Sequence, residues 1–179
     1  MAALALLAVA STATAAKPQP AKPAPRSWPK TICGQLVPLI RSTTGVQVQA
    51  NLPKQGPANT LDCRYTAGGI DSAFLLESKP VDATWLSRSS AALTKLDAQT
   101  CGDAGTPAAV PASVAGLGNG AVGVDFCPGD TFTSKASGQT ALYVLKGTTG
   151  WWFVAGPPFA TTSVAKLAAL ARKLLATYP

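Results

Sequence analysis

The chain has 179 residues, of which 47% are hydrophobic and only 13% charged, and its formal net charge is +7. It contains four cysteines and no histidine. The missing histidine excludes Ser-His-Asp and Cys-His catalysis, histidine acid–base chemistry and most zinc enzymes. The composition therefore disfavours an enzyme before any motif is considered.

The N-terminal segment predicts export. Residues 1–16 form an uncharged apolar run that ends in small residues, as a signal peptide does before its cleavage site. We expect cleavage near Ala15 or Ala16, which would leave a secreted or envelope-associated protein. A transmembrane helix needs about 20 apolar residues, so this shorter run does not predict a transmembrane span.

Residues 17–30 predict a linker. They carry several prolines, four basic residues and no acidic residue; the first acid of the chain is Asp62. Proline at this density prevents regular helix or sheet. The linker is either a charged, solvated spacer or one that associates with anionic wall polymer or lipid headgroups. Trp28 is expected to pack on the domain, and no aromatic-basic pattern predicts nucleic acid as a partner.

Residues 31–179 have the length of a single domain. Apolar residues at helical spacing over residues 32–40 predict a first helix. Because proline breaks a helix interior, its regular turns are predicted to begin at Pro38 and to end at Gly45. Alternation over residues 46–50 predicts a short, half-buried strand at most.

A hairpin and a middle helix are predicted next. Apolar residues alternate over residues 61–65 and 70–76, on either side of a Gly-Gly turn. Pro80 is predicted to open the helix, with Asp82 in the first turn, where a carboxylate suits the helix dipole. The predicted core stripe of this helix consists of Val81, Trp85, Ala92, Leu93 and Leu96.

Four more strands and a last helix complete the domain. Apolar runs between turn residues predict strands at 122–126, 131–135, 140–146 and 151–155. Residues 164–178 repeat apolar side chains at the spacing of an amphipathic helix, which Thr161, Thr162 or Ser163 can cap. This order predicts an α+β fold: a twisted antiparallel meander sheet with a short N-terminal helix, a middle helix and a long C-terminal helix packed on it.

Several segments together resemble a known family. In chain order they are CGQLVPLIR, LDCRY, VAGLGNGAVGV, ALYVLKGTTGWWFVAG and KLAALARKLLATYP. They resemble small actinobacterial envelope proteins, mostly lipoproteins, that carry a domain of unknown function. The resemblance covers nearly all of residues 31–179 and implies an α+β sandwich akin to the PsbP-like fold, with no catalytic residues. The chain lacks the lipobox cysteine, so the resemblance does not extend to a lipid anchor.

Export makes structural disulfides the preferred interpretation of the four cysteines. Their spacing leaves three connectivities open. Zinc binding is the alternative, but no two cysteines have the close spacing of a zinc site, and we expect no metal and no cofactor. The resemblance, together with the hairpin layout, favours Cys33–Cys63 and Cys101–Cys127. Each would close a loop of about 30 residues and stabilise the fold by about 3–4 kcal/mol in the chain-entropy model.

Candidate catalytic groups are few. Asp71 and Glu77 share one predicted strand but stand about 20 Å apart, too far for a glycosidase pair. Asp125 and Asp130 surround a turn and are interpreted as turn residues. Residues 118–123 spell G-x-G-x-x-G, but they follow a loop and lead into a strand, which indicates a turn rather than a dinucleotide site.

Aromatic side chains supply the candidate binding surface. Trp151 and Trp152 are adjacent, so on a strand they point to opposite faces, and one leaves the core unless helices cover both. With Phe153 and Phe159, an exposed tryptophan would line an apolar groove. The alternative is that both tryptophans pack in the interior.

We therefore expect a secreted, non-catalytic, monomeric binding domain that recognises a cell-wall polymer or other glycan, a lipid or an envelope protein. A secreted hydrolase or a protease inhibitor is the alternative. Two carboxylates within about 6 Å would support hydrolysis. A rigid, exposed loop around residues 104–115 would support an inhibitor.

Overall fold

A computed structural model describes residues 28–51, 59–103, 109–127, 139–156 and 162–178. The helices are α1 (Ile32–Thr44), α2 (Trp85–Asp103) and α3 (Val164–Thr177). The strands are β1 (Gln49–Ala50), β2 (Leu61–Ala67), β3 (Ile70–Pro80), β4 (Ala112–Ser113), β5 (Gly120–Asp125), β6 (Thr140–Lys146) and β7 (Thr149–Ala155). The signal peptide, most of the linker and the strand predicted at 131–135 lie outside the described residues.

The seven described strands form one antiparallel sheet in the order β1-β2-β3-β7-β6-β5-β4. It consists of two meanders, β1-β2-β3 and β4-β5-β6-β7, which meet where β3 pairs with β7. Within each meander the neighbours in the sheet are also neighbours in sequence, and α2 connects the two. The predicted α+β class, with three helices and an antiparallel sheet, is confirmed.

The main core lies on the face of the sheet that α1 and α3 cover. Alternate residues of β2 are buried from Leu61 to Ala67, as the sequence pattern predicts. They pack with α1, α3 and the alternate residues of β3, β6 and β7, among which Phe74, Trp151 and Phe153 are the largest. The helical periodicity of α3 is likewise confirmed, because its apolar stripe enters this core.

A second, smaller core lies on the opposite face, under α2. Ala141 belongs to this cluster and Leu142 to the main core, and consecutive strand residues point to opposite faces. The second cluster consists of Leu93, Cys101, Val124, Phe126, Cys127 and Ala141. Helices therefore lie on both faces of the sheet.

The first helix begins earlier than predicted. It starts at Ile32 and contains Pro38 in its interior. Proline has no N–H, so the helix lacks the hydrogen bond from residue 38 to the carbonyl of Gly34. Both Pro38 and Gly34 are exposed. Burial of Ile32, Leu36 and Ile40 in the core outweighs this loss. The predicted end is confirmed, since Gly45 adopts φ 80° and its N–H donates to the Arg41 carbonyl at 2.9 Å.

The middle helix begins later than predicted. Pro80 ends β3, where it pairs with Thr149, and α2 starts at Trp85. Asp82 precedes the helix, and its carboxylate accepts hydrogen bonds from the N–H and the hydroxyl of Thr84 at 2.9 and 2.7 Å. A short polar side chain that bonds the backbone two residues on forms an Asx turn, which here competes with earlier helix formation.

The predicted stripe of α2 is confirmed at Trp85 and Leu93, which are buried, and is wrong at Ala92 and Leu96. Ala92 is exposed and Leu96 is 51% exposed, whereas Asp97 and Cys101 are buried. Leu93, Asp97 and Cys101 follow one another at intervals of four residues, so they share one side of the helix. The disulfide of Cys101 fixes this side toward the sheet.

Both predicted disulfides are confirmed. Cys33–Cys63 joins α1 to β2, and Cys101–Cys127 joins the end of α2 to the segment that follows β5. All four cysteines are paired.

The N-terminus of α3 is capped by a residue distant in sequence. The Asp125 carboxylate accepts the N–H of Val164 at 3.1 Å and the hydroxyl of Thr140 at 2.8 Å. The side chain of Ser163, which occupies the capping position, makes no capping bond. The prediction that a hydroxyl of residues 161–163 caps the helix is therefore wrong for Ser163, and Asp125 is a capping residue rather than a plain turn aspartate.

Candidate functional site

One face of the sheet is only partly covered. Helix α2 contacts β5 and β6 on this face, and its first residue, Trp85, packs against Trp152 of β7. The rest of the face, on β2, β3 and β7 with Tyr143 of β6 at its border, is not covered by a described helix. Its side chains are half-buried or exposed. We call this surface the open face; the residues that characterise it are Asp62, Arg64, Glu77, Lys79, Tyr143 and Trp152.

An aromatic cluster joins the open face to the start of α2. The ring of Trp85 lies 4.8 Å from that of Trp152, with the planes at 70°, and 5.9 Å from that of Tyr143. The Trp85–Trp152 pair is edge-to-face, which is favourable because ring edges are positive and ring faces negative, whereas the Trp85 and Tyr143 rings are stacked. Burial, with a smaller contribution from the charge of Glu77, raises the pKa of the Tyr143 hydroxyl.

The aromatic cluster depends on a glycine beneath it. A Cβ atom at Gly150 would lie 3.0 Å from Val81 Cγ1 and 3.1 Å from two ring carbons of Trp85. Both distances are tighter than ordinary van der Waals contact, so only glycine lets Trp85 lie this close to the sheet. No local sequence pattern singles out Gly150, which is paired with Lys79 where β3 and β7 meet.

Lys79 lies over Trp152. Its ammonium nitrogen is 4.8 Å from the ring centroid, within the range of a cation–π interaction. The two ion pairs among the described residues, Arg64–Asp62 and Arg88–Asp82, do not include it. Lys79 is exposed, so its charge is accessible to a ligand bound against the tryptophan.

Two carboxylates are neighbours on the open face. Glu77 pairs with Asp62 of β2 on one side and with Trp152 of β7 on the other. Residues directly opposite in an antiparallel pair have Cβ atoms about 4.5–5.5 Å apart. Arg64 donates to Asp62 from Nε at 3.2 Å, and its pKa is raised by Asp62 and, more weakly, by Glu77.

A β-bulge creates this pair. The register shifts between Tyr65 and Ala67; the Ala67–Ile70 pairing alone would set Asp62 opposite residue 75. Asp71 and Glu77, the two carboxylates of the same predicted strand, lie six residues apart on β3, as predicted. Asp71 accepts a hydrogen bond from Thr66 at 3.0 Å.

A groove continues the open face along the start of α2. It encloses about 510 Å³ and is lined by Lys79, Pro80, Val81, Asp82, Trp85 and Arg88. Arg88 donates to the Asp82 carboxylate at 2.8 Å and also contacts the Thr84 hydroxyl. These hydrogen bonds, from Arg88 first and Thr84 second, lower the pKa of Asp82 to about 2. Asp82 and Arg88 thus form an exposed, mutually neutralised pair at the groove wall.

The predicted aromatic surface is only partly correct. Trp151 is 2% exposed and Phe153 0% exposed, so both belong to the main core and line no groove. The two tryptophans do point to opposite faces, as predicted, and Trp152 reaches the open face. Phe159 lies outside the described residues. The latch role of Trp28 is confirmed, since its ring lies 5.7 Å from that of Trp151 and 5.8 Å from that of Tyr178.

The structure describes the remaining candidate sites only in part. Residues 118–123 form a turn and the start of β5, as predicted. The described residues contain one group with metal-ligand spacing, Asp97, Cys101 and Cys127, whose ligand atoms lie within 4.8 Å of one another. Its two sulfurs are bonded to each other, so neither is a thiolate that could bind zinc. Residues 104–108 of the proposed inhibitor loop lie outside the described residues.

No family model matches this chain. Neither a curated protein nor a solved structure shows significant similarity to it. The resemblance to actinobacterial envelope proteins therefore stays a prediction. Two disulfides are typical of a protein outside the cytoplasm. No helix among the described residues combines the length and the apolar character that crossing a membrane requires.

Proposed function

We propose that the chain is a secreted, non-catalytic binding domain of the cell envelope, and that its open face recognises a saccharide. The observation that carries the proposal is the Trp85–Tyr143–Trp152 cluster, whose half-buried members Tyr143 and Trp152 reach solvent beside charged side chains while Trp85 is buried against them. A sugar ring has an apolar C–H face and a rim of hydroxyls. Aromatic rings suit the first, and charged or hydroxyl side chains suit the second.

The distribution of charge supports the same ligand class. The whole chain has eight acidic residues, and three of them (Asp62, Glu77 and Asp82) lie on the open face or in its groove. Three bases, Arg64, Lys79 and Arg88, accompany them. Acceptors and donors therefore alternate over a short distance. Such a surface can form hydrogen bonds with many hydroxyl groups, whereas a surface whose charges all had one sign would favour a ligand of the opposite charge.

The shape of the site favours a saccharide over the other partners considered. An acyl chain is bound best in an enclosed apolar cavity, whereas the described groove is open and bordered by an ion pair. A stable protein interface has an apolar centre depleted of charge, and here charged residues occupy the middle of the patch. The basic linker would keep the domain near anionic wall polymer.

The proposal is tested by titrating the mature protein with soluble oligosaccharides released from peptidoglycan and with N-acetylglucosamine oligomers, followed by calorimetry. Trp152→Ala is expected to weaken binding about two- to tenfold, since one aromatic contact contributes about 0.5–1.5 kcal/mol. Trp28→Phe, which alters a tryptophan on the other face, is the matched control and should bind like the wild type. Equal affinity of Trp152→Ala and wild type would contradict the proposal, as would the absence of binding to every saccharide.

Glycoside hydrolysis is a second candidate, favoured by the pairing of Asp62 with Glu77 beside Trp152. Retaining glycosidases hold two carboxyl groups about 5–5.5 Å apart. Hydrolysis would release new reducing ends from the bound oligosaccharide, and Glu77→Gln would stop their release while leaving binding in place. Binding without release by the wild type would assign the surface to recognition alone.

A further inference from the structure

We infer that the two disulfides are not equivalent, and that Cys101–Cys127 is a site of reduction by dithiols which the buried carboxylate of Asp97 favours. This inference is independent of the proposed binding function. It depends on the surroundings of the sulfur atoms and on one backbone conformation.

Asp97 lies against this disulfide in the second core. Its side chain is 0% exposed, and its Oδ1 atom is 3.1 Å from Cys101 Sγ. The same oxygen accepts the N–H of Cys127 at 3.3 Å. Oδ2 is buried and has no hydrogen-bond partner among the described residues. A buried carboxylate normally requires several donors, and here it has one N–H.

The contact between Asp97 and Cys101 is unfavourable in the disulfide form and favourable in the dithiol form. A disulfide sulfur has lone pairs and no proton, so its approach to a carboxylate oxygen is not a hydrogen bond and is electrostatically unfavourable. After reduction, the Cys101 thiol is placed to donate its S–H to Oδ1. Hydrogen bonds to a charged acceptor are stronger than those between neutral groups. Asp97 therefore stabilises the dithiol form relative to the disulfide form.

The backbone conformation of Cys127 also favours reduction of this disulfide. Its φ is 47°, in the left-handed region that residues with a side chain rarely adopt. The disulfide and the N–H bond to Asp97 hold the residue there. Opening the disulfide removes one of these two constraints and lets the backbone relax.

The other disulfide provides an internal reference. Cys33 lies in α1 and Cys63 in β2, both within regular secondary structure. The polar neighbour of the Cys33 sulfur is the Asp62 carbonyl at 3.9 Å, while the Asp62 carboxylate is paired with Arg64. No described carboxylate oxygen lies within 4.8 Å of both sulfurs of this pair.

The reaction is a thiol–disulfide exchange. A thiolate of the dithiol attacks one sulfur to form a mixed disulfide, and the second thiol of the reagent closes a ring and releases the protein thiol. Two electrons and two protons pass to Cys101 and Cys127, and the reagent leaves as its own disulfide. Both sulfurs are buried, so the attack requires a local opening at the end of α2. Reduction then frees this end of the helix from the segment after β5.

The test is a titration of the full mature protein with dithiothreitol, followed by alkylation and mass spectrometry of the four cysteine peptides. Cys101 and Cys127 are expected to be alkylated at about tenfold lower reductant than Cys33 and Cys63. Asp97→Asn keeps an acceptor for the Cys127 N–H but removes the charge. It should raise the reductant needed for Cys101–Cys127 about tenfold and leave Cys33–Cys63 unchanged. Asp71→Asn, a change of the same chemistry at an exposed position, should shift neither pair.

Three results would overturn the inference. They are equal reduction of the two disulfides in the wild type, earlier reduction of Cys33–Cys63, and an Asp97→Asn variant whose Cys101–Cys127 responds like the wild type. A folding defect in the variant is distinguishable, because partial unfolding makes both disulfides easier to reduce, which is the opposite direction. Far-ultraviolet circular dichroism of each variant identifies such a defect.

Discussion

The position of α2 over the sheet depends on Gly150, and replacing this glycine by alanine tests that dependence. The added methyl carbon would lie 3.0 Å from Val81 Cγ1 and 3.1 Å from two ring carbons of Trp85. Trp85 is rigid and is packed against Trp152 at 4.8 Å between ring centroids, so it cannot move without disturbing the cluster. Overpacking of this kind typically costs about 1–3 kcal/mol, and we expect Gly150→Ala to lose that amount.

The matched control is Gly34→Ala. Gly34 is exposed within α1, and a Cβ atom there would meet nothing within 4 Å. Alanine has the higher helix propensity, so this variant should gain about 0.5–1 kcal/mol. Urea unfolding followed by tryptophan fluorescence measures both free energies of unfolding. If Gly150→Ala were as stable as the wild type, with an unchanged emission spectrum, the inferred contact between Trp85 and the sheet would be refuted.

Two further predictions concern Asp125 and Asp82. Asp125→Ala removes the acceptor for the Val164 N–H and one of the two acceptors near the Thr140 hydroxyl, the other being the Thr162 carbonyl at 2.9 Å, and should cost about 1–2 kcal/mol in urea unfolding. Ser163→Ala should cost much less, because that side chain makes no capping bond. Hydrogen bonds from Arg88 and Thr84 lower the pKa of Asp82 from 3.8 to about 2, so its contribution to stability is complete above 3.8 and is lost as the pH falls toward 2. An NMR titration of the Asp82 carboxyl carbon should show a midpoint near 2 that rises in Arg88→Met; an unchanged midpoint would contradict the assignment.

The elements that the sequence predicts correctly are those that one continuous segment determines by itself. The alternation of Leu61, Cys63 and Tyr65 and the helical spacing from Val164 onward are each properties of one segment, and the structure has both. The start of the first helix cannot be predicted from its own segment. Pro38 is unfavourable within a helix by itself, but the burial of Ile32 and the other core residues of α1 decides where the helix begins.

The open face could be predicted only in part. The opposite orientation of Trp151 and Trp152 follows from strand geometry, but which one is exposed depends on where α1, α2 and α3 pack. The pairing of Asp62 with Glu77 requires a β-bulge, and no residue near Gly68 indicates a bulge there. Asp97 was overlooked because an aspartate in a helix is normally solvent-exposed, whereas this one is held inside by the neighbouring disulfide.

The four tryptophans permit the most direct test of the central claim. Trp152 belongs to the open face and the buried Trp85 packs directly against it, whereas Trp28 and Trp151 pack together on the opposite face. Each indole N–H gives its own signal in a proton–nitrogen correlation spectrum. Adding oligosaccharide released from peptidoglycan should shift the signals of Trp85 and Trp152 and leave those of Trp28 and Trp151 in place. Shifts confined to Trp28 and Trp151, or no shift at saturating saccharide, would contradict saccharide recognition at the open face.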